Sequence, residues 1–440
     1  MASMPRSYWI ETLGCPKNQV DSDKLVGQLL RDGYDPAASP EAADLVVVNT
    51  CAFVEEARQE SVDTILALDD ARRDGTELVV TGCMAERYGD ELADAMPEVD
   101  AVSGFGVPVT LGRKSATGGA PVPAFDLLNL PRPPATAPWA YVKVAEGCDR
   151  ACGFCAIPTF RGKQRSRSMT DVLAEVDALG AREIVLVAQD LAAYGRDQGV
   201  GERSIVALVE AVASRVERTR LLYLYPSDLT DSLIDAICST GVPYFDLSLQ
   251  HVSPPLMRRM RRWGDGERFL ARIADIRARQ PDATFRSNFI VGYPGETEDD
   301  HDALLSFVAD AGLDWCGFFS FSKEDGTHAA GLDGQVPRSL VDERLAELRE
   351  LQDGITAARR DELIGSVVEV LVDTPGQARS HREAPEIDGI VVVPETMEVG
   401  AIAPVRVVDA LGPDLVAEPL TTDPSITDPT AANLPAPVRS

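Results

Sequence analysis

Between residues 139 and 360 the sequence alternates short apolar runs with amphipathic stretches, over and over. The runs at 141–145, 183–189, 220–225, 244–250, 285–292 and 315–321 read as strands. Helical patterns fall between them. One of these, at 169–179, starts behind Ser168, a favourable N-cap residue. Repeated β/α units of this length suggest a full or partial β/α barrel, with its chemistry at the C-terminal strand ends.

The first of those strands leads into Cys148-Asp149-Arg150-Ala151-Cys152-Gly153-Phe154-Cys155. Three thiols at C-x3-C-x2-C spacing can hold one soft metal centre from a single loop. A cuboidal 4Fe–4S cluster has four irons, so three ligands leave one iron open. Structural zinc wants four closed ligands, often as paired C-x2-C units. The nearest histidine is the distant His251, and no second C-x2-C exists. A disulfide needs an oxidising compartment, and an odd triplet cannot pair off internally.

Residues 1–113 carry strand-like runs at 7–13, 43–49 and 77–81, with helical patterns at 21–31 and 54–73. That order implies a doubly wound parallel α/β domain. Cys15, Cys51 and Cys83 each follow one of its strands. The C-terminal ends of parallel strands share one edge, so the three thiols can converge there as a second metal centre. The alternative is three unrelated buried cysteines. Cys238 and Cys316 lie within apolar patterns and read as small buried hydrophobes.

Residues 114–138, rich in Pro, Gly and Ala, read as a linker. Residues 365–419 hold short strand-like runs at 367–372, 389–393 and 403–409, which suggest a small antiparallel β-barrel. Residues 421–440, rich in Pro, Thr and Ala, read as a disordered tail. The N-terminus has no apolar signal core, no run reaches membrane-span length, and free thiols point to the cytoplasm. A formal charge of -28 disfavours non-specific nucleic-acid binding and suits a basic partner.

The triplet with Phe154 resembles the radical S-adenosylmethionine (SAM) signature. With the three upstream cysteines, the β/α repeats and the small C-terminal β-domain, almost the whole chain resembles the radical SAM methylthiotransferases. The stretches Thr12–Ser22 (Thr-Leu-Gly-Cys-Pro-Lys-Asn-Gln-Val-Asp-Ser), Glu55–Ser61 and Ala384–Gly389 are similar to the RimO branch, which modifies a ribosomal protein. The tRNA-modifying branch typically carries Gln-Met-Asn after the first cysteine. Asp23 stands where Glu is usual, and Trp263 where Pro is frequent.

The resemblance implies an N-terminal methylthiotransferase domain, a partial radical SAM barrel over 139–360 and a TRAM domain over 365–419. It implies two 4Fe–4S clusters, one on Cys148, Cys152 and Cys155 for SAM cleavage, one on Cys15, Cys51 and Cys83 for sulfur delivery. A second SAM donates the methyl group. The product it implies is a methylthiolated aspartate β-carbon in ribosomal protein S-twelve of the small subunit. An electron donor and a sulfur donor are required; no membrane and no specific tRNA binding are expected. Phe154, Gln189, Gln250, Gly292, Glu296, Arg165 and Arg167 are the candidate SAM contacts, each with a plain structural alternative. In the third domain ten acidic residues face Arg379, Arg382 and Arg406. That balance favours a basic protein over RNA. The alternatives are a tRNA methylthiotransferase acting on isopentenyl-adenosine and a non-enzymatic metal-binding module.

Overall fold

The computed structural model describes residues 6–109, 126–199 and 204–420. The expected tail at 421–440 and residues 114–125 of the expected linker lie outside the described residues.

The N-terminal sheet is parallel throughout. Its strands are β1 (Ser7–Thr12), β2 (Asp35–Pro36), β3 (Leu45–Thr50), β4 (Glu77–Gly82) and β5 (Ala101–Ser103), in the order β2-β1-β3-β4-β5. Strand β3 is buried along its whole length, as a strand covered on both faces must be. Helix α1 (Pro16–Arg31) packs Leu25 and Leu29 on one face of the sheet. Helices α2 (Glu55–Ala71) and α3 (Cys83–Ala95) bury Ile65, Leu68 and Leu92 on the other. Helix α1 begins five residues before the expected 21. Pro16 presets the first turn, and Cys15 is its extended N-cap residue.

The second sheet system is an open arc. Strands β6 (Trp139–Lys143), β9 (Glu183–Val187) and β10 (Arg218–Leu221) form one parallel sheet. Strands β11 (Tyr244–Gln250), β12 (Thr284–Val291) and β13 (Trp315–Ser320) form another. A parallel bridge from Leu224 to Leu247 joins them. All six expected runs are strands. Strand β10 stops at Leu221, short of the expected 225, because Tyr223 takes a left-handed φ of 65°. Between β6 and β9, β7 (Ala145–Glu146) and β8 (Arg165–Ser166) pair antiparallel on either side of the cysteine loop and α4 (Ile157–Phe160). Helices α5 (Met169–Leu179), α6 (Ile205–Ala213), α7 (Asp231–Cys238), α8 (Pro254–Arg259), α9 (Gly266–Arg279), α10 (Glu298–Ala311) and α11 (Arg338–Asp361) complete the domain. Ser168 caps α5 through the Asp171 N–H. Val142, Leu186, Phe245 and Phe289 meet helical Val176, Leu208, Ile273 and Leu348 in the main core. Cys238 and Cys316 pack at its edge, in line with their apolar sequence context.

The third domain is a closed barrel of β14 (Val367–Thr374), β15 (Gln377–Arg379), β16 (Val391–Val392), β17 (Ile402–Leu411) and β18 (Asp414–Pro419). Its pairs are antiparallel except β16 with β18. Strands β15 and β18 carry too little apolar sequence to stand out from the sequence alone.

Two insertions fill the concave side of the arc. Val20 of α1 joins Tyr141, Val185, Val187, Leu222 and Tyr244. At the N-terminal strand ends, residues 379–388 of the third domain enter as a plug. Tyr141 donates to the Pro385 carbonyl at 2.8 Å, Tyr244 to Asp388 at 2.6 Å and Trp315 Nε1 to the Arg382 carbonyl at 2.7 Å. Buried Glu183 accepts from Arg220 at 2.8 Å and from Arg379 at 3.0 Å. The described half of the expected linker is packed as well. Leu127 and Leu128 are buried, Lys24 donates to the Leu128 carbonyl, and Arg132 pairs with Asp23 and Glu175. Among the described residues no helix is long and apolar enough to cross a membrane.

Candidate active site

The loop Cys148–Cys155 sits at the C-terminal end of the arc, held by close backbone contacts at its glycines. Gly147 has φ +77°, and a Cβ there would lie 2.2 Å from the Lys163 carbonyl. Gly153 donates to the Met260 carbonyl at 2.7 Å, and its own carbonyl accepts from Ala329 at 2.8 Å. Phe154 packs against the cluster of Leu256, Met260, Tyr293 and Ala329, which anchors the loop. The three thiols act on one another. Burial pushes Cys148 up to about 11 and Cys155 up to about 12, with the neighbouring thiols adding to both. Such thiols become thiolates on binding a metal. The Arg150 N–H and Arg262 Nη1 donate to the sulfurs of Cys148 and Cys152, each at 3.4 Å. The Arg150 and Arg262 guanidiniums stack on Tyr225 at 3.9 and 4.0 Å. Arg150 also binds Asp190 at 2.6 Å and pairs with Asp228.

Cys15, Cys51 and Cys83 converge at the C-terminal edge of the first sheet. A Cβ on Gly14 would lie 3.0 Å from the Cys51 sulfur. Asn18 reaches the Leu13 and Thr50 carbonyls and lies 3.6 Å from the Cys83 sulfur, stitching the three loops together. Burial pushes Cys51 up to about 12, reinforced by Cys83 and Cys15. Burial also raises Cys83. Cys15 moves the other way: burial would raise it, but Lys17, Arg161 and two backbone N–H groups outweigh burial. Among the described residues no three His, Cys, Asp or Glu side chains are close enough to hold a single metal ion. A one-ion zinc cage, with sulfurs about 2.3 Å from the metal, is therefore not preformed at either set. Three soft thiols apiece, with cationic donors beside them, fit the wider cuboidal cluster.

Arg161 reaches from the segment that carries the triplet to the sulfurs of the first domain. It follows α4, six residues after Cys155, yet it donates to the Cys83 sulfur at 2.9 Å and to Asn18 at 2.8 Å. It also pairs with Asp21 at 3.2 Å and Glu146 at 2.9 Å. Lys143 completes this buried network through Asp21 and, at 2.7 Å, Glu146. Burial alone would raise Glu146, but Arg161 and Lys143 hold its carboxyl far below the usual range. Nothing local in the sequence marks Arg161; its partners lie up to 143 residues away.

The candidate SAM contacts divide by partner. Gln189 donates to Glu146 at 2.7 Å, and its buried Oε1 has no partner among the described residues. Gln250 ends β11 at φ 72°. Gly292 needs its φ of +81°, and a Cβ there would strike Val341 at 2.5 Å. Its N–H and that of Tyr293 bind Glu296, which also pairs with Arg344 at 3.0 Å. The Glu296 carboxylate is thus engaged inside the chain, bracing the strand-to-helix turn. Arg165 is exposed and forks onto Asp126 with two 2.8 Å bonds. Arg167 is buried on Glu175 at 2.7 Å. Neither arginine has a free fork for a ligand carboxylate. His251 is fully buried, accepts from the Ser253 N–H at 3.1 Å, and is lowered to about 4 by burial.

A cysteine loop at the mouth of a parallel β/α arc, joined to a small closed barrel, is the arrangement of a radical SAM protein with an appended β-domain. Family models agree: residues 7–104 match the uncharacterized protein family UPF0004, 142–308 the radical SAM superfamily and 364–420 the TRAM domain. The solved structure of TsrM, a radical SAM methyltransferase from Kitasatospora setae, shares the fold at a TM-score of 0.51 and 13% identity, over 90% of this chain and 84% of that one. The ribosomal protein uS12 methylthiotransferase RimO of Kineococcus radiotolerans is 41% identical over 94% of this chain and 97% of its own length. That of Streptomyces coelicolor is 40% identical over 95% and 98%. The chain belongs to the RimO family of radical SAM methylthiotransferases, and it is a SAM-dependent transferase.

Proposed function

We propose that this protein methylthiolates the β-carbon of an aspartate in ribosomal protein uS12. The observation that carries the reading is the presence of two three-thiol sets in one chain, with Arg161, six residues after Cys155, donating to the Cys83 sulfur of the other set. Cys148, Cys152 and Cys155 hold the cluster that works with SAM; Cys15, Cys51 and Cys83 hold the second. Bound there, the clusters and SAM supply radical cleavage of an unactivated C–H bond and delivery of sulfur and methyl. The chain's own residues supply the geometry. Gly147, Gly153 and Phe154 fix the triplet loop. Arg262 offers a charge-assisted donor to Cys152, and Arg161 offers one to Cys83. The 379–388 plug closes the arc at the N-terminal strand ends, which leaves the C-terminal ends as its open side. Gln189, with its free Oε1, and the ends of β11 and β12 at Gln250 and Gly292 are the proposed SAM contacts.

The exposed charge of the third domain supports a protein substrate. Glu383 and Asp388 turn inward in the plug, and Arg379 goes with them. Glu369, Glu386, Glu395, Glu398, Asp409 and Glu418 remain exposed against Arg406. That surface attracts a basic ribosomal protein and repels phosphate. Its target is free uS12 or the small ribosomal subunit in the cytoplasm, with a separate electron donor and sulfur donor. The test is anaerobic reconstitution with SAM and reductant, offering a uS12 aspartate-loop peptide beside a tRNA anticodon stem-loop. A methylthio mass gain on the peptide is expected. A gain on the RNA alone would establish the tRNA reading instead.

A further inference from the structure

Lys17 stands in the first turn of α1, two residues after Cys15, and reaches across to the end of β10. Its Nζ lies 3.3 Å from the centroid of the Tyr223 ring. Among the described residues no carboxylate comes within ion-pair distance of the ammonium, and Nζ makes no hydrogen bond. Other interior lysines differ. Lys24 pairs with Glu175 at 3.3 Å, and Lys143 with Asp21 and Glu146. Cys15, then Asp246 and Cys83, act on Lys17 from longer range against Arg161, and Asp246 is itself opposed by Arg286. The ring beneath the ammonium belongs to Tyr223, held at φ 65°. A bulky residue in the left-handed region persists only where its surroundings impose it, and such positions gather at binding sites.

From this geometry we infer that Lys17 is the receptor for the carboxylate of the substrate aspartate, and so a specificity-determining residue. The inference rests on the aspartate reading above. Tyr223 supports the ammonium on one side by a cation–π contact and leaves its other side to an anion. An aspartate brought next to the sulfurs of Cys15 and Cys83 meets negative charge, which the Lys17 ammonium offsets; Arg161, the other cation there, is already engaged by Cys83, Asp21 and Glu146. The carboxylate carbon is bonded to the β-carbon that reacts. A clamp on that carboxylate therefore fixes the reacting atom one bond away, while the backbone of the peptide stays free to follow the outer surface.

The test uses the iron-loaded protein with SAM and labelled uS12-loop peptides carrying Asp or Asn at the reacting position. Binding is read by fluorescence anisotropy and turnover by mass. The wild type is expected to prefer Asp over Asn by about ten-fold or more, as expected when a half-buried charged group would otherwise be left unpaired. Lys17→Met is expected to bring the ratio to about one by weakening Asp binding, with binding compared at equal iron loading. Lys17→Arg is expected to recover part of the preference at a lower rate. A wild type indifferent to Asp and Asn overturns the assignment. So does a Lys17→Met protein that keeps the preference while the wild type still modifies the Asp peptide; in that case only the role of Lys17 falls. Modification of the RNA and not of the peptide removes the aspartate reading, and the assignment with it.

Discussion

Glu183→Gln tests how firmly the third domain is bound into the arc. Glu183 is fully buried and accepts from Arg220 and Arg379, the second of which arrives with the plug. Burial would raise its carboxyl, but Arg379, Arg220 and Arg218 together hold it at about 2, against an ordinary 4.5. At about 1.4 kcal/mol per pH unit, that difference corresponds to about 3 kcal/mol of folding free energy at neutral pH. Breaking a buried ion pair from one side typically costs about 3–5 kcal/mol, which agrees. A glutamine keeps the shape but turns an amide NH2 toward one of two guanidiniums. Arg379 retains Asp373, and Arg220 retains the His381 carbonyl, so the loss is mainly that of the central charge. Urea unfolding followed by tryptophan fluorescence is well placed to read it, because Trp139 lies against Arg379 and Trp315 donates to Arg382. The folded carboxyl is depressed, so its contribution is complete above pH 4.5 and declines as pH falls toward 2. The gap between wild type and variant should be about 3 kcal/mol at pH 7 and should narrow below pH 4.5. A gap under about 1 kcal/mol, or one that stays constant with acidification, would refute the argument.

Arg161→Gln should cut the iron bound at the Cys15 set, towards the value of a Cys15, Cys51 and Cys83 triple alanine variant. Deoxyadenosine formation from SAM should persist in both; iron analysis and chromatography check this, and full iron in Arg161→Gln counts against the bridge. Glu324 follows β13 and accepts from Arg58 at 2.5 Å and Arg87 at 2.6 Å, both from the first domain. Glu324→Ala leaves two cations without their carboxylate and should loosen the first domain on the arc. The expected sign is a higher ratio of deoxyadenosine to methylthiolated product, and an unchanged ratio would show that this contact does not set the alignment.

What the sequence revealed was what repeats or clusters locally. The six strands of the arc follow from apolar periodicity, and the triplet from its spacing. Cys15, Cys51 and Cys83 were legible only through topology, because parallel strands bring their C-terminal ends to one edge. The rest depends on partners far apart in the chain. Arg165 and Arg167 look like anion ligands until Asp126 and Glu175 are seen beside them. Glu296 looks like a ligand until its bonds to Gly292, Tyr293 and Arg344 are counted. Ala384–Gly389 reads as a mark of the family; its physical role, filling the base of the arc, needs Tyr141 and Tyr244, more than 140 residues upstream. The early stop of β10 has no sequence signal, since Leu222 and Leu224 continue the apolar pattern past Tyr223.

Helix α1 explains why the interface between the two cysteine sets is charged. One side of the helix packs Leu25 and Leu29 on its own sheet, while Val20 enters the arc. Cys15 is its N-cap residue, so any rotation of α1 against the arc moves Cys15 relative to Cys148. A purely apolar contact at Val20 would tolerate such sliding, because apolar contact has no direction. Asp21, one residue on, does not: it is held by Lys143 and Arg161, and Arg161 in turn holds Cys83. Buried ion pairs contribute little net stability compared with well-packed apolar residues, yet some specify a unique register. Here the register decided by Asp21, Lys143, Glu146 and Arg161 is the spacing between the two sulfur sets, the quantity on which coupled chemistry between them depends.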